Sequence, residues 1–424
     1  MTDLRLILRS LLSRRFVTAT AMATVAVSVA LMLVLLTMRD AGREAFRRGG
    51  GSMHLLVSAD SSPLVAVLNG VFYANPPRNP ISWEKYQQIR ASFPWEWAIP
   101  TQLGDSYRGY PVLATTIDYL QKFRPDPASP WALASGRFFE RPFEAVVGAD
   151  AARGARLEVG STFILAHGAA AGEEHHGHEH ADFPVTVVGV LEPTGTPHDR
   201  AIVVDLDSSW IVHAHDRRHA ADHSISTTTS ADLLDEDRKI TGIMLRLPTR
   251  PGSNVSPAMQ QQFDALRRDT SIVVAQPEDQ IDRLFMIVHS VDRLFIGMAV
   301  VVMVAGAVGI MLGLASSMEM RRRQIALMRV FGCSRPRVFS LVLTESALLA
   351  LGGAIIGVVL GIVGCGVVAV ALRQALGLVV RPDPRMEWIL AVAAGTLLLG
   401  ILAGIAPAAM AYRTPVARSL RPIG

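Results

Sequence analysis

The chain has 424 residues, room for two or three domains, and half of them are hydrophobic with a mean hydropathy of +0.31. Its net charge of +4 comes from arginine, since lysine occurs only as Lys85, Lys122 and Lys239, and no basic stripe interleaves with aromatics, which argues against nucleic-acid binding. The two cysteines, Cys333 and Cys365, fall outside the polar middle of the chain, so that block folds on a hydrophobic core and not on a disulfide framework.

In chain order, a tail (1–15) carrying Arg5, Arg9, Arg14 and Arg15 precedes a first predicted span at 16–38. A cleaved signal peptide begins the same way. This run of about 22 residues exceeds the ~7–15 of a secretory core and ends in Met38-Arg39-Asp40 without a small-residue cleavage site, so it reads as an uncleaved signal anchor. Residues 39–290 form a polar block of mixed α/β character. Strands are predicted at 53–59, 183–190, 201–204 and 242–247, helices at 82–92, 208–221 and 257–268, a loop at 75–80 and a mobile one at 220–237. Three further predicted spans follow at 291–317, 338–372 and 387–412, separated by a loop at 318–337 and a short one at 373–386, with a tail at 413–424. Each exceeds the ~20 residues that cross a ~30 Å hydrocarbon core.

The arginines of the N-terminal tail, the 318–337 loop (Arg321, Arg322, Arg323, Arg329, Arg335, Arg337) and the C-terminal tail (Arg413, Arg418, Arg421) together outnumber the positive residues flanking the spans on the other face. That side is predicted to be cytoplasmic, with both termini inside and 39–290 outside. Gly353, Gly357 and Gly361 recur every four residues and predict a close helix-packing face in the bilayer. The spans hold no acid or histidine deep in their apolar runs, Glu345 sitting near the cytoplasmic edge, so direct ion carriage is not expected.

The loop run MEMRRRQIALMRVFG (318–332) reads as a short amphipathic helix, Ile325, Met328 and Phe331 recurring every three residues opposite the arginines, stopped by Gly332 and Pro336. Two readings stand: a basic helix resting on anionic headgroups, or a coupling helix docked on a cytoplasmic partner through Glu319, Arg321, Arg322, Arg323, Gln324, Ile325 and Met328. A phosphate-binding loop needs a lysine after glycine, and none of the three lysines follows one. The chain is not expected to be an enzyme.

The segments RRQIALMRVFGCS (322–334), Glu345, GIAPAAMA (404–411) and RTPVARSLR (413–421) resemble the FtsX-type permease signature, and GRFF (136–139), AVVG (145–148) and VTVVGVL (185–191) resemble the middle of a MacB-like periplasmic core domain. With one span, a large domain and three more spans, the chain is similar to the MacB/FtsX-type (type VII) ABC permeases over nearly its whole length. The resemblance implies a four-span helical membrane domain and a mixed α/β periplasmic domain with a β-rich insert near 133–205, in a bacterial inner membrane. It also implies a dimer of permeases, a homodimer in preference to a heterodimer. Each copy would carry a separate cytoplasmic ATPase that binds magnesium ATP and moves the periplasmic domains. The chain departs from MacB in lacking a fused ATPase.

Histidine is distributed unusually: of 12, all but His54 and His289 lie between 167 and 223. One cluster, His175, His176, His178 and His180, falls in a predicted hairpin-like loop (167–182). In the other, His215 and His219 share a face if that stretch is helical. Imidazole suits zinc, nickel or copper. The tracts read as a zinc-linked site, as a solvated low-complexity insertion, or as a pH-responsive tract. No H-E-x-x-H occurs, so zinc proteolysis is not expected. The functional expectation is a mechanotransmitting permease, with a link to metal homeostasis and a periplasmic adaptor or metal-binding partner. The alternative is a signalling or scaffold subunit that activates a periplasmic partner.

Overall fold

The computed structural model describes residues 7, 9, 11–126, 129–167, 182–222, 227–250, 253–376, 380 and 382–413, and for 167, 288–292, 317–324, 328 and 373–376 the backbone alone. Helices are α1 (Arg15–Gly49), α2 (Pro63–Gly70), α3 (Trp83–Ser92), α4 (Asp118–Gln121), α5 (Ala149–Ala155), α6 (Leu206–Ala221), α7 (Met259–Leu266), α8 (Pro277–Val330), α9 (Arg335–Leu376) and α10 (Met386–Arg413). Strands are β1 (Leu55–Ser58), β2 (Ile81–Ser82), β3 (Trp97–Tyr107), β4 (Tyr110–Thr115), β5 (Leu133–Gly136), β6 (Glu144–Val147), β7 (Thr162–Phe163), β8 (Ala166–His167), β9 (Val185–Leu191), β10 (Ile202–Asp205), β11 (Lys239–Ile240), β12 (Gly242–Arg246) and β13 (Val273–Ala275). Contacts divide the chain into two units: 1–42 with 288–371 and 381–424, and 43–287 with 372–380.

In the first unit, four helical stretches among the described residues are long and apolar enough to cross a bilayer: Arg15–Gly49, Arg293–Ser316, Arg335–Leu372 and Met386–Arg413. α1 is the most enclosed, with 44% of its apolar stretch buried against 17–22% for the others. The glycine stripe of α9 explains why. A Cβ at Gly353 would sit 2.7 Å from Val25, at Gly357 2.6 Å from Val29 and at Gly361 2.9 Å from Leu33. Two four-residue repeats therefore interlock, and α1 and α9 run parallel in register. Without a hydrophobic driving force between helices in lipid, such close approach supplies the packing contacts that hold the bundle. α8 closes on the same helix: Ser28 Oγ donates to the Val302 carbonyl at 3.1 Å, and Gly306 lies over Val25. α10 packs on α9 where Gly400 meets Ala350 and Gly404 meets Ser346.

The second unit is built on one 11-stranded mixed sheet, ordered β13-β1-β12-β3-β4-β10-β6-β9-β5, with β7 on β9 and β8 on β3; β2 and β11 form a separate ribbon. Period-two alternation sends successive residues to opposite faces, and both faces are covered. One core gathers Leu55, Val57, Val112, Val147, Val187 and Ile202 beneath α3, α5, α6 and α7. The other gathers Leu56, Leu113, Val146, Val203 and Met244 beneath α2, α4 and the aromatics Phe123, Trp131 and Phe139. The β-rich segment 133–205 is not a separate layer. Its strand β10 pairs in parallel with β4, so it continues the sheet begun by the flanking segments. The described part of the predicted mobile loop is tied down, Arg217 donating to both Asp237 oxygens at 2.8 and 2.7 Å and Asp232 closing a capping box on Thr229.

Gly357→Leu is expected to lower the thermal stability of the detergent-solubilised protein, overpacking α9 against Val29 at a cost of about 1–3 kcal/mol or more. Gly366→Leu, where a Cβ meets nothing within 4 Å, should leave the melting temperature unchanged, and equal effects of the two would contradict the interlock.

Candidate functional site

Three places carry polar or exposed groups that ordinary core packing does not explain. The first surrounds α6, which Asp205 caps by accepting from Asp207 N at 3.0 Å. His215 is buried on its inner face. Its Nδ1 lies 3.1 Å from Thr228 Oγ1, its Nε2 3.9 Å from Asp182 Oδ2, and its ring stands edge-on to Phe183 at 4.9 Å. His219 follows one turn later, with ring centroids 5.8 Å apart. The helix thus places His215 and His219 as neighbours beside Asp182. Among the described residues no three His, Cys, Asp or Glu side chains form a group able to hold a metal ion. His175, His176, His178 and His180 lie outside the described residues.

The second place is the loop between the second and third spans. It is not a separate short helix: α8 continues unbroken to Val330, and Gly332 (φ 90°) ends it in the left-handed conformation that glycine tolerates. Ile325 is buried against Val338, Val342, Ala408 and Ala411 from α9 and α10. Phe331 is 87% exposed, so these two do not share the single apolar face read from their spacing. The reason is angular. Six residues at 100° each put Phe331 about 120° around the helix from Ile325. The side chains of Glu319, Arg321, Arg322, Arg323, Gln324 and Met328 lie outside the described residues. Glu345 is buried and lines a crevice shared with Arg14, Thr18 and Gly313.

The third place has no sequence signal: a buried polar node at the end of α1. His198, in a 3-10 turn (Pro197–Arg200), donates from Nε2 to the Gly49 carbonyl at 3.0 Å. That bond leaves Nδ1 as the acceptor, 2.7 Å from the Tyr73 hydroxyl and 3.1 Å from that of Tyr119. Phe123 and Trp131 close around the ring. Asp199 accepts from Thr194 N, Thr194 Oγ1 and Gly195 N at 2.7–2.9 Å, holding the turn that presents the histidine. Nearby, Phe46 of α1 packs on Phe72 at 4.8 Å and on Phe285 of α8 at 5.7 Å, while Arg43 pairs with Asp282 at 2.9 Å. The adjoining ends of the two long helices are therefore bolted together and to one face of the sheet. Burial drives the His198 pKa down to about 4 and pushes the Tyr73 and Tyr119 hydroxyls up. At neutral pH the node is an uncharged, fully paired network.

His198 also fixes a pH dependence. Its folded pKa lies below the unfolded value of 6.5, so the unfolded chain takes the proton first, and stability present above pH 6.5 is lost as pH falls toward 4. The expected loss between pH 7 and 4 is about 3 kcal/mol by linkage. His54, lowered by burial and by Arg246, acts in the same direction, while Asp199 and Asp205, raised by burial, act against it. Denaturant melts of His198→Gln should show a flatter pH profile than wild type, and an identical profile would contradict the node.

Residues 296–416 match the family described as FtsX-like permease C-terminal, and residues 18–266 match the MacB-like periplasmic core domain. An uncharacterized ABC transporter permease of Methanocaldococcus jannaschii is 26% identical over 225 residues, covering 52% of this chain and 51% of the relative. The chain thus spans about half the length of the curated relative it matches. Among solved structures, the extracellular domain of the noncanonic ABC-type transporter YknZ from Gram-positive bacteria aligns at 10% identity with a TM-score of 0.27, covering 52% of this chain and 98% of that one.

Proposed function

The chain belongs to the MacB/FtsX-type ABC transporter permeases, and on that premise we propose that it couples ATP hydrolysis by a separate cytoplasmic ATPase to movement of its outer domain. It is a membrane protein with a large extracellular domain, and the family implies an ABC ATPase as partner. In the proposed arrangement the arginine-rich side faces the cytoplasm of a bacterial inner membrane, residues 318–337 dock the ATPase, and two copies of the chain work together.

The observation that carries this reading is the length of α8. One helix of 54 residues runs from Pro277 to Val330, about 80 Å at 1.5 Å per residue and far more than a bilayer core requires. It supplies residues to both units, as does α1, and it contains no proline after its first residue. Substituting Ile287, an exposed position of this helix, with proline removes one i→i−4 bond and kinks the rod. In the reconstituted complex, Ile287→Pro should leave ATP hydrolysis running while abolishing the nucleotide-dependent change in protease sensitivity of the outer domain. Survival of that change would count against coupling through α8.

The His215–His219–Asp182 neighbourhood supports a metal-responsive addition to this role. We propose that zinc binds there, with remaining ligands drawn from His175, His176, His178 and His180, linking the transporter to metal homeostasis. Calorimetric zinc titration of the full chain in detergent should give stoichiometric, submicromolar binding that His215→Ala/His219→Ala weakens at least about tenfold. Equal affinity in the two proteins would remove this pair from the site.

A further inference from the structure

From the surroundings of α6 we infer that Thr228 is the positioning residue of the proposed zinc site, and that the segment 227–237 is the outer shell in which zinc binding is felt. This rests on the zinc reading given above. It adds the group that orients the buried ligand and the part of the domain that responds to the metal.

The ring of His215 is held in one pose. Phe183 stands edge-on to it at 4.9 Å and is itself stacked on Phe143 at 5.3 Å. The Phe143 N–H donates to Ser208 Oγ of α6 at 2.8 Å, which ties the aromatic pair back to the helix that carries the histidine. In this pose Nδ1 lies 3.1 Å from Thr228 Oγ1, and Thr228 is 5% exposed, so the bond is sheltered from water. Nε2 is the nitrogen beside Asp182, 3.9 Å from its Oδ2. The atom His215 offers to a metal is therefore Nε2, which is available only when the ring proton sits on Nδ1.

Thr228 is the group that receives that proton. Arg218 Nη1 donates to Thr228 Oγ1 at 2.9 Å, and a guanidinium accepts nothing in return, so the hydroxyl oxygen keeps one lone pair for the Nδ1–H. A metal-bound histidine donates its second N–H to such an oxygen, which fixes both tautomer and ring plane. Arg218 is held in turn by Asp232 at 3.3 Å, and Asp232 accepts from Thr229 N and Thr229 Oγ1, both at 2.9 Å. The next residue along α6 toward its start, Arg217, grips Asp237 at the other end of the same segment. Contacts from His215, Arg217 and Arg218 thus lay 227–237 along α6, and a metal that restrains His215 restrains this segment through one buried hydroxyl.

The full chain in detergent tests this, titrated with zinc and with cobalt(II), whose visible absorption reports the ligand set. Thr228→Val keeps the shape of the side chain and removes the hydroxyl, whereas Thr228→Ser keeps the hydroxyl. Thr228→Val should weaken zinc binding about ten- to a hundredfold and change the cobalt spectrum, and Thr228→Ser should restore both. Hydrogen exchange of 227–237 should slow on adding zinc to the wild type and to Thr228→Ser, but not to Thr228→Val at saturating zinc. A Thr228→Val protein that melts lower yet binds zinc as wild type does, with an unchanged cobalt spectrum, would make the bond merely structural and overturn the inference while the zinc site stands. The wild type alone also decides the matter should the valine variant not fold, since zinc binding that leaves exchange of 227–237 unaltered would overturn the outer shell. No zinc binding by the wild type would overturn the site and its positioning residue together.

Discussion

Close contact between α1 and the glycine stripe of α9 sets the terms for the membrane unit. Val25, Val29 and Leu33 enter the spaces left by Gly353, Gly357 and Gly361, which places α1 inside the bundle and fixes its register against α9. Because α1 is enclosed, α8 and α10 complete the bundle around this pair, and the exposed faces of the outer three helices are left to lipid. The same α1 ends at Gly49, whose carbonyl is claimed by His198, and Gly51 beyond it (φ 54°) turns the chain into β1 where a side chain would strike Phe123 and the Arg124 carbonyl. One helix is thus held by steric interlock along one stretch and by a neutral hydrogen-bonded node at its end.

The proposed function assigns to this arrangement a role in an ATP-driven process, although none of the three lysines forms a phosphate-binding loop. In the proposed coupling, work enters as displacement at the loop end of α8. Within the sheet unit, the ends of α1 and α8 are gripped at Phe46–Phe285, Arg43–Asp282 and His198. A neutral histidine suits such a joint. It satisfies a carbonyl and a hydroxyl together without the desolvation cost of a buried charge.

Much of this was legible in the sequence because it depends on local length and periodicity. The four spans follow from apolar runs, β9 from the alternation of VTVVGVL, and α6 from the stretch that puts His215 and His219 one turn apart. The glycine repeat announced a packing face, but not that its occupant is α1, since the partner lies over 300 residues away. Spacing also joined Ile325 to Phe331, because repeated three-residue steps look like one face until the accumulated angle is followed. The continuity of 133–205 with the rest of the sheet rests on the parallel β10–β4 pairing, a long-range contact with no local trace. His198 was invisible for the same reason. Its partners at 49, 73 and 119 converge only in the fold, and the residue itself stands in an unremarkable Gly-Thr-Pro-His-Asp turn.

The central claim, that nucleotide binding by the partner is felt at the joint, is tested most directly by hydrogen-exchange mass spectrometry on the permease–ATPase complex in lipid nanodiscs, with and without trapped ATP. The account predicts altered exchange in segments 43–53, 194–200 and 277–287. The sheet interior at 112–115, 145–147 and 202–205 should stay equally protected in both states. Altered exchange confined to the 318–337 loop, with the joint unchanged, would contradict it.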